Sequence, residues 1–392
     1  MKRLRAKVEP TLRAPVVLWR EVFTRPAVVV LVASLVLLAT IGLVILASLS
    51  WGVADAGARA VLVRQLASLG VGLFAAIVVA NIDYRFWKTI NPILVVVTLG
   101  ALAAVLFFSA PIRGIRAWVT IGGATIQVSE FAKFSFIVFL AQYASRWTRH
   151  LKRLNHLLVT LVGAAAYLLL ILFEPDFGTT ALLMFVWASF VFSIGLGRRQ
   201  LMVLLLSACV LGTVLWVGVL RPYQKQRVFT FLNPTRDPQG SGYNVRQSLA
   251  AIGSGGVFGL GFAQGSQSQL RFLPESQSDF IFSVIGETFG LVGLVLVYGL
   301  WSAVFVSLLF LLPRLVEDFA AFFTLAFTIL LFWEVIIPMA IALALFPVTG
   351  LALPLMSAGG SSLVAHLMMI GVVFNILKNT PLRIRDEVTV LG

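Results

Sequence analysis

Only one cysteine, Cys209, occurs in this 392-residue chain, and it lies inside an apolar run. No intrachain disulfide is possible, and the redox compartment is left open. Histidine is nearly as scarce, and His150, His156 and His366 have no metal-ligand spacing. There is no G-x-x-x-x-G-K-[ST] segment. The glycines of Gly253-Ser-Gly-Gly-Val-Phe-Gly-Leu-Gly261 do not fit G-x-G-x-x-G, so neither familiar nucleotide loop is present. Charge is sparse as well. Only 12% of residues are charged and 59% are hydrophobic, whereas a soluble domain carries roughly a quarter charged residues. Apolar runs so many and so long exceed what a buried core needs, which points to a polytopic membrane protein. The net charge of +14 does not indicate nucleic-acid binding, because the basic residues cluster in short loops between spans.

What is present is organised by those runs. The first, Pro26 to Ser50, is too long for a signal-peptide core and is followed by others, so it reads as retained. Ten spans are expected, near 26–50, 64–82, 89–110, 130–145, 155–173, 178–196, 201–220, 280–312, 319–346 and 359–377. The expected fold is an all-α membrane protein, a single integral domain over 1–392 with no tandem repeat. Basic residues occupy the N-terminus (1–25), Arg85 with Lys88, the stretch Arg146 to Arg153, Arg198-Arg199, Arg314, and the tail (378–392). Ten spans put all of these on one side, which the positive-inside rule makes cytoplasmic, along with both termini.

The opposite side then carries the unusual segments. They are Pro111 to Trp118, the Glu174-Pro-Asp-Phe-Gly178 corner, a large extracytoplasmic loop over 221–279 between the seventh and eighth spans, and Phe346 to Ser362. A loop of that length is uncommon in a compact protein unless it is functional. The Pro and Gly of 346–362 break any helix, and such backbone survives at membrane depth only against protein or a wet cavity.

Two acids, Glu275 and Asp279, stand before the eighth span, and Glu287 lies inside it. Pro274 suits the first turn of a helix, and helical spacing would put Asp279, Ser283 and Glu287 near one face. Carboxylates there are costly and so suspect for function; capping is the alternative for Asp279. Arg113, Arg116, Lys133, Arg221, Lys225 and Arg227 are candidate phosphate ligands. The alternatives are headgroup anchoring for Arg221 and its neighbours, and a structural Glu130–Lys133 pair. Asp176 is expected to cap the next helix. Glu334 and His366 are expected to be buried, His366 in a packing role. A divalent cation, Mg or Mn, held by carboxylates near phosphates is weakly signalled, and no protein metal cage is expected.

Several motifs together resemble the shape, elongation, division and sporulation (SEDS) family. They include Arg116-Ala-Trp118, Ser129-Glu-Phe-Ala-Lys133, Pro175-Asp-Phe-Gly178, Tyr223 to Pro234, Asp237 to Asn244, Phe272-Leu-Pro-Glu275, Ser278-Asp-Phe-Ile-Phe282 and Pro347-Val-Thr-Gly350 through Ser362. The likeness runs from the first span to the last, and Gly265 to Pro274 is more like the elongation branch than the division branch. The chain departs from the family at Gln277-Ser278, Glu174, Ala358 and Pro338.

The resemblance implies a peptidoglycan glycosyltransferase that polymerises lipid II on the outer face of the bacterial cytoplasmic membrane during elongation. It also implies a class B penicillin-binding protein as the crosslinking partner, beside the nascent glycan strand and membrane lipids. The family's essential aspartate falls on Asp279, expected as the general base. Arg116 and then Lys133 are the candidates to stabilise the leaving diphosphate. Glu130, Lys225, Arg227 and Ser357 join them as substrate-side residues, with Asp176, Glu275 and Glu287 in support. The alternatives are a lipid II flippase or a non-catalytic scaffold. Polar groups concentrated at the outer face favour the polymerase.

Overall fold

In the computed structural model the described residues are 22–51, 56–109, 116–121, 124–148, 154–195, 222–233, 237 and 240–380, with single positions between 197 and 218. The expected seventh span, 201–220, lies outside the described residues, as do Arg113 and Arg221. The other nine expected spans are each occupied by one helix. They are α1 (Pro26–Ser50), α2 (Ala56–Asn81), α3 (Tyr84–Phe108), α4 (Val128–Arg146), α5 (Leu154–Phe173), α6 (Phe177–Ser193), α9 (Ile281–Leu311), α10 (Asp318–Ala342) and α11 (Gly360–Asn379). Between α6 and α9 lie α7 (Pro222–Leu232) and α8 (Ser241–Gly255). Seven of the described helices are long and apolar enough to cross a membrane.

The helical expectation holds, with one small element beside the helices. A two-stranded antiparallel hairpin, β1 (Trp118–Ile121) with β2 (Ala124–Gln127), leads directly into α4. Its β-branched residues flank Gly122-Gly123 in sequence, the composition of a tight hairpin turn.

The bundle is held by pairs of packed helices: α11 on α2, α9 on α1, α10 on α4 and α6, and α3 on α4. Its core is aliphatic and aromatic, with Leu38, Phe136, Phe190, Trp301, Phe323 and Ile376 buried. One end collects cations. Arg25 Nη1 donates to the Leu377 carbonyl (3.1 Å), and Lys88 pairs with Glu317 (3.1 Å). The Tyr84 N–H donates to Asn375, and Thr148 Oγ1 donates to Asp318. The other end gathers the hairpin, the start of α4, the α5–α6 corner, α7, α8, and the 346–359 segment.

That second end is built on a break. Gly290, at φ +66°, interrupts α9, and the loop after α8 is laced into the gap. Leu260 and Gly261 donate to the carbonyls of Glu287 and Thr288, while Leu291 and Val292 donate to those of Gly256 and Val257. Backbone freed by the break is thus satisfied by protein, as it must be away from water. Gly259 has φ +82°, and a Cβ there would strike the Thr288 carbonyl; only glycine permits so close a crossing.

Candidate functional site

Asp279 does not lie on α9. The helix starts at Ile281 with Phe280 as its cap, and residues 274–279 form turns. Pro274 therefore does not open the helix, and the expected shared face of Asp279, Ser283 and Glu287 is not formed. Ser283 Oγ meets Ser248 Oγ at 2.6 Å, and Ser248 also donates to the Ala342 carbonyl. The buried Glu287 carboxylate accepts from the backbone N–H groups of Gln267 (2.7 Å) and Ser268 (3.1 Å). Those two acceptances cap the short turn Ser266–Gln269 and make Glu287 a structural anchor. Glu275 is exposed at φ +51°, and its carboxylate accepts from Ser278 Oγ at 3.0 Å. Its carbonyl accepts from Ser278 and Phe280 N–H. Glu275 thus folds the turn that presents Asp279.

The Asp279 turn is strapped to the broken segment. Ser357 Oγ donates to the Ser278 carbonyl at 2.6 Å and accepts from Leu353 N–H. Ala358 N–H donates to the Gln277 carbonyl at 2.8 Å. The hydroxyl of Ser357, expected on the substrate side, is thus taken up as a brace. Gln65 of α2 completes the strap, donating to the Ser357 carbonyl and accepting from Gly359 N–H. Sequence gives no sign of this clamp, because nothing local to Gln65 links it to residues almost three hundred positions away.

Three other elements meet the same segment at Val348-Thr349-Gly350. Arg227 Nη1 donates to the Val348 carbonyl at 3.1 Å. Gly178, opening α6, packs so tightly on Thr349 that a side chain would collide with its carbonyl oxygen. Asp279 Oδ2 lies beside Gly350, whose φ of +82° keeps the backbone close. Thr349 Oγ1 is buried without a hydrogen-bond partner among the described residues. Lys225 sits half-buried on α7, one turn from the strap that Arg227 makes.

Asp176 caps α6 as expected, accepting from Thr179 N–H (3.0 Å) and Thr179 Oγ1 (2.8 Å). Burial pushes its carboxyl up, and the two Thr179 bonds oppose that. Gln127 Nε2 also reaches it, at 3.5 Å. Neighbouring Glu174 is fully buried with neither carboxylate oxygen hydrogen-bonded among the described residues. Burial first, and then the Asp176 charge, push its carboxyl up to about 8. Arg116 is exposed beside this corner. Its N–H donates to the Glu174 carbonyl at 3.4 Å and its guanidinium to the Leu106 carbonyl at 3.4 Å.

Lys133 is buried and doubly paired, 2.6 Å from Glu130 and 2.6 Å from Glu334. The expected Glu130–Lys133 pair is present. The partnership with Glu334, and of Glu334 with His366, joins residues too distant in sequence to be foreseen. Lys133 is thus a paired cation one turn inside the site, while Arg116 and Arg227 are the cations at its rim. Among the described residues no group of three or more His, Cys, Asp or Glu side chains is gathered to hold a metal.

Comparison with known proteins agrees with this architecture. Residues 28–381 match the FtsW, RodA and SpoVE cell cycle protein family. A probable peptidoglycan glycosyltransferase FtsW from Marinobacter nauticus is 35% identical over 364 residues, covering 89% of this chain and 88% of that one. The peptidoglycan glycosyltransferase MrdB of Escherichia coli K12 is 33% identical over 80% of this chain and 84% of its own. Among solved structures, a peptidoglycan synthase complex that coordinates polymerization and crosslinking aligns with a TM-score of 0.75 at 30% identity, covering 88% of this chain and 96% of that one. The Rod shape determining protein RodA of Thermus thermophilus aligns at 0.64 and 27% identity, covering 88% and 95%. The chain belongs to the FtsW, RodA and SpoVE family of cell cycle proteins, the SEDS glycosyltransferases.

Proposed function

We propose that this membrane protein polymerises lipid II into glycan strands for cell elongation, with Asp279 as the general base. The observation that carries the assignment of the base is the strapped turn. Ser357 and Ala358 hold the turn that presents a carboxylate, beside Gly350, at the end of the bundle away from Arg25 and Lys88. We place the cationic end, carrying Arg25, Arg85, Lys88, Arg314 and Lys378, in the cytoplasm with both termini, by the positive-inside rule. Asp279 then faces outward. Ten spans accord with this, since Ser193, closing α6, and Pro222, opening α7, lie at opposite ends.

In the reaction, Asp279 takes the proton of the acceptor sugar hydroxyl as its oxygen attacks the anomeric carbon of the donor. The bond from that carbon to the diphosphate breaks, and polyprenyl diphosphate leaves. Its charge is met by Arg116 and Arg227 at the rim, with Lys133 behind them; arginine suits paired contacts to phosphate oxygens. The diphosphate supplies the driving force, so no nucleotide is required. No step runs through a metal. The crosslinking partner is a class B penicillin-binding protein, in keeping with the synthase complex among the structural neighbours. The deep polar groups fit a polymerase better than a flippase. Glu334, Lys133 and His366 lie within ~12 Å of the site end of their helices at 1.5 Å per residue, so this charged cluster stays in the half of the bundle nearest the site.

The test is Asp279→Asn, measured as glycan polymerisation with the partner and lipid II, alongside melting temperature. Asn keeps the shape but takes no proton. Polymerisation should slow by roughly a hundredfold to ten-thousandfold, the worth of a general base, with melting unchanged. Parental polymerisation by the Asn variant would remove Asp279 from the mechanism.

A further inference from the structure

Four ionisable side chains from three helices form one buried chain. Glu130 and Lys133 come from α4, Glu334 from α10 and His366 from α11. Lys133 Nζ is equidistant from Glu130 and Glu334, yet only the Glu334 contact is aligned as a hydrogen bond. Glu130 Oε2 receives none among the described residues. The ammonium thus sits between the two carboxylates, with its better-aligned contact on the deeper one. The other oxygen of Glu334 lies 2.6 Å from His366 Nε2, and His366 Nδ1 lies 2.6 Å from the Ser362 carbonyl. A carbonyl only accepts, so Nδ1 carries a proton. A second proton on the ring then decides the charge balance. With imidazolium, two carboxylates face two cations. With neutral imidazole, Glu334 has Lys133 as its one cationic partner, and the cluster carries a buried negative charge.

Among the described residues the other charged groups lie away from His366. Of the helices packed on α11, α2 brings only Arg59 and Arg64, both exposed, and faces the start of α11 with uncharged Gln65 and Ser68. The charged residues of α3 (Arg85, Lys88), with Arg146 of α4, Asp318 of α10 and Lys378 of α11 itself, lie at the opposite end of the bundle. β2 has no charged residue, and Asp176, which caps α6, is the further acid whose charge reaches Glu130 and Lys133.

We propose that Glu334 and His366 are positioning residues for Lys133. When His366 is protonated it neutralises Glu334, and the Lys133 ammonium turns toward Glu130 and the diphosphate site. When His366 is neutral, Glu334 holds the ammonium back. This rests on the site taking a diphosphate-linked donor. The pair acts on binding of that donor and not on the proton taken by Asp279.

The experiment measures kcat and KM for lipid II with the partner present, from about pH 5 to 8, the range in which histidine titrates. KM of the parent should rise roughly tenfold across it, about one charge-assisted hydrogen bond, with no parallel step in kcat. Glu334→Gln should hold KM low at every pH, and His366→Gln should hold it high. Inhibition by polyprenyl diphosphate should follow KM in each variant. A flat parental KM overturns the proposal, and that measurement needs no variant to fold. Variants that shift kcat and KM together, or lower melting while keeping the parental pH profile, reduce the pair to packing. Asp279→Asn, run in parallel, acts on kcat alone, so failure of the base assignment and failure of the positioning pair are told apart.

Discussion

Replacing Glu174 by Gln should make the protein more stable in alkali. Glu174 is wholly buried at the α5–α6 corner, its carboxylate oxygens lack hydrogen bonds among the described residues, and its carboxyl titrates at about 8. An acid raised in the folded state binds its proton more tightly there than in the unfolded chain. Between the ordinary glutamate value of about 4.3 and about 8, the folded state holds more protons, so stability falls as pH climbs. The loss begins above the unfolded value and is complete beyond about 8. At about 1.36 kcal/mol for each tenfold gain in proton affinity it amounts to roughly 3–5 kcal/mol. Gln has almost the same shape and no charge to gain. The assay is melting of parent and Glu174→Gln in detergent or nanodiscs from about pH 5 to 9. The two should melt most alike at the acid end and diverge steadily up to about pH 8, the parent falling. Parallel curves would refute the reasoning, because the carboxyl would then have a partner that compensates its charge. A Gln variant already unstable at the acid end would show that the carboxyl donates a hydrogen bond the amide cannot replace.

Other outcomes can be checked separately. Arg116→Ala should weaken use of the diphosphate-linked donor without lowering melting, and Arg116→Lys should restore only part, because an ammonium cannot make two parallel hydrogen bonds; equal rates in all three would make Arg116 a headgroup anchor. Glu287→Ala leaves two backbone donors unpaired and should destabilise by about 2–4 kcal/mol, with limited proteolysis exposing the loop around Gln267; an unchanged digestion pattern would deny Glu287 its anchoring role. A cysteine at position 237 should react with an impermeant thiol reagent added outside intact cells and one at 314 should not; the reverse pattern would invert the orientation.

Much of the fold is legible in the sequence because membrane spans are written locally. The edges of α1 agree with the expected 26–50, and α9, α10 and α11 begin within a residue or two of expectation. What escapes are features set by contacts distant in sequence. The helical phase expected of Asp279 fails because turn-forming residues at 275–279 delay the helix to Ile281. Glu287 looks like a partner for Asp279 but serves backbone groups twenty residues earlier. The hairpin does leave a signal, two β-branched runs around Gly122-Gly123, but it is faint beside the stronger apolar runs. Lys133 is readable as needing a partner, and Glu130 is near enough in sequence to propose. Glu334 and His366 are visible only as isolated polar residues in apolar helices, because their pairing depends on how α10 and α11 pack.

The break at Gly290 divides the mechanical duties of α9. Below it, Leu291–Leu311 is about 31 Å long, close to the roughly 30 Å of a bilayer's hydrocarbon core. Above it, the start of the helix and the Asp279 turn hang from the 256–261 loop and the strap at Ser357. The lipid bilayer therefore sets the height of one rod, and loop polypeptide at the site end of the bundle sets the height of the other. A change in membrane thickness tilts the lower rod without carrying Asp279 along. Order of assembly follows from the same division. The candidate site is complete only after the loop has threaded the gap, so a chain stalled before that step carries an incomplete one.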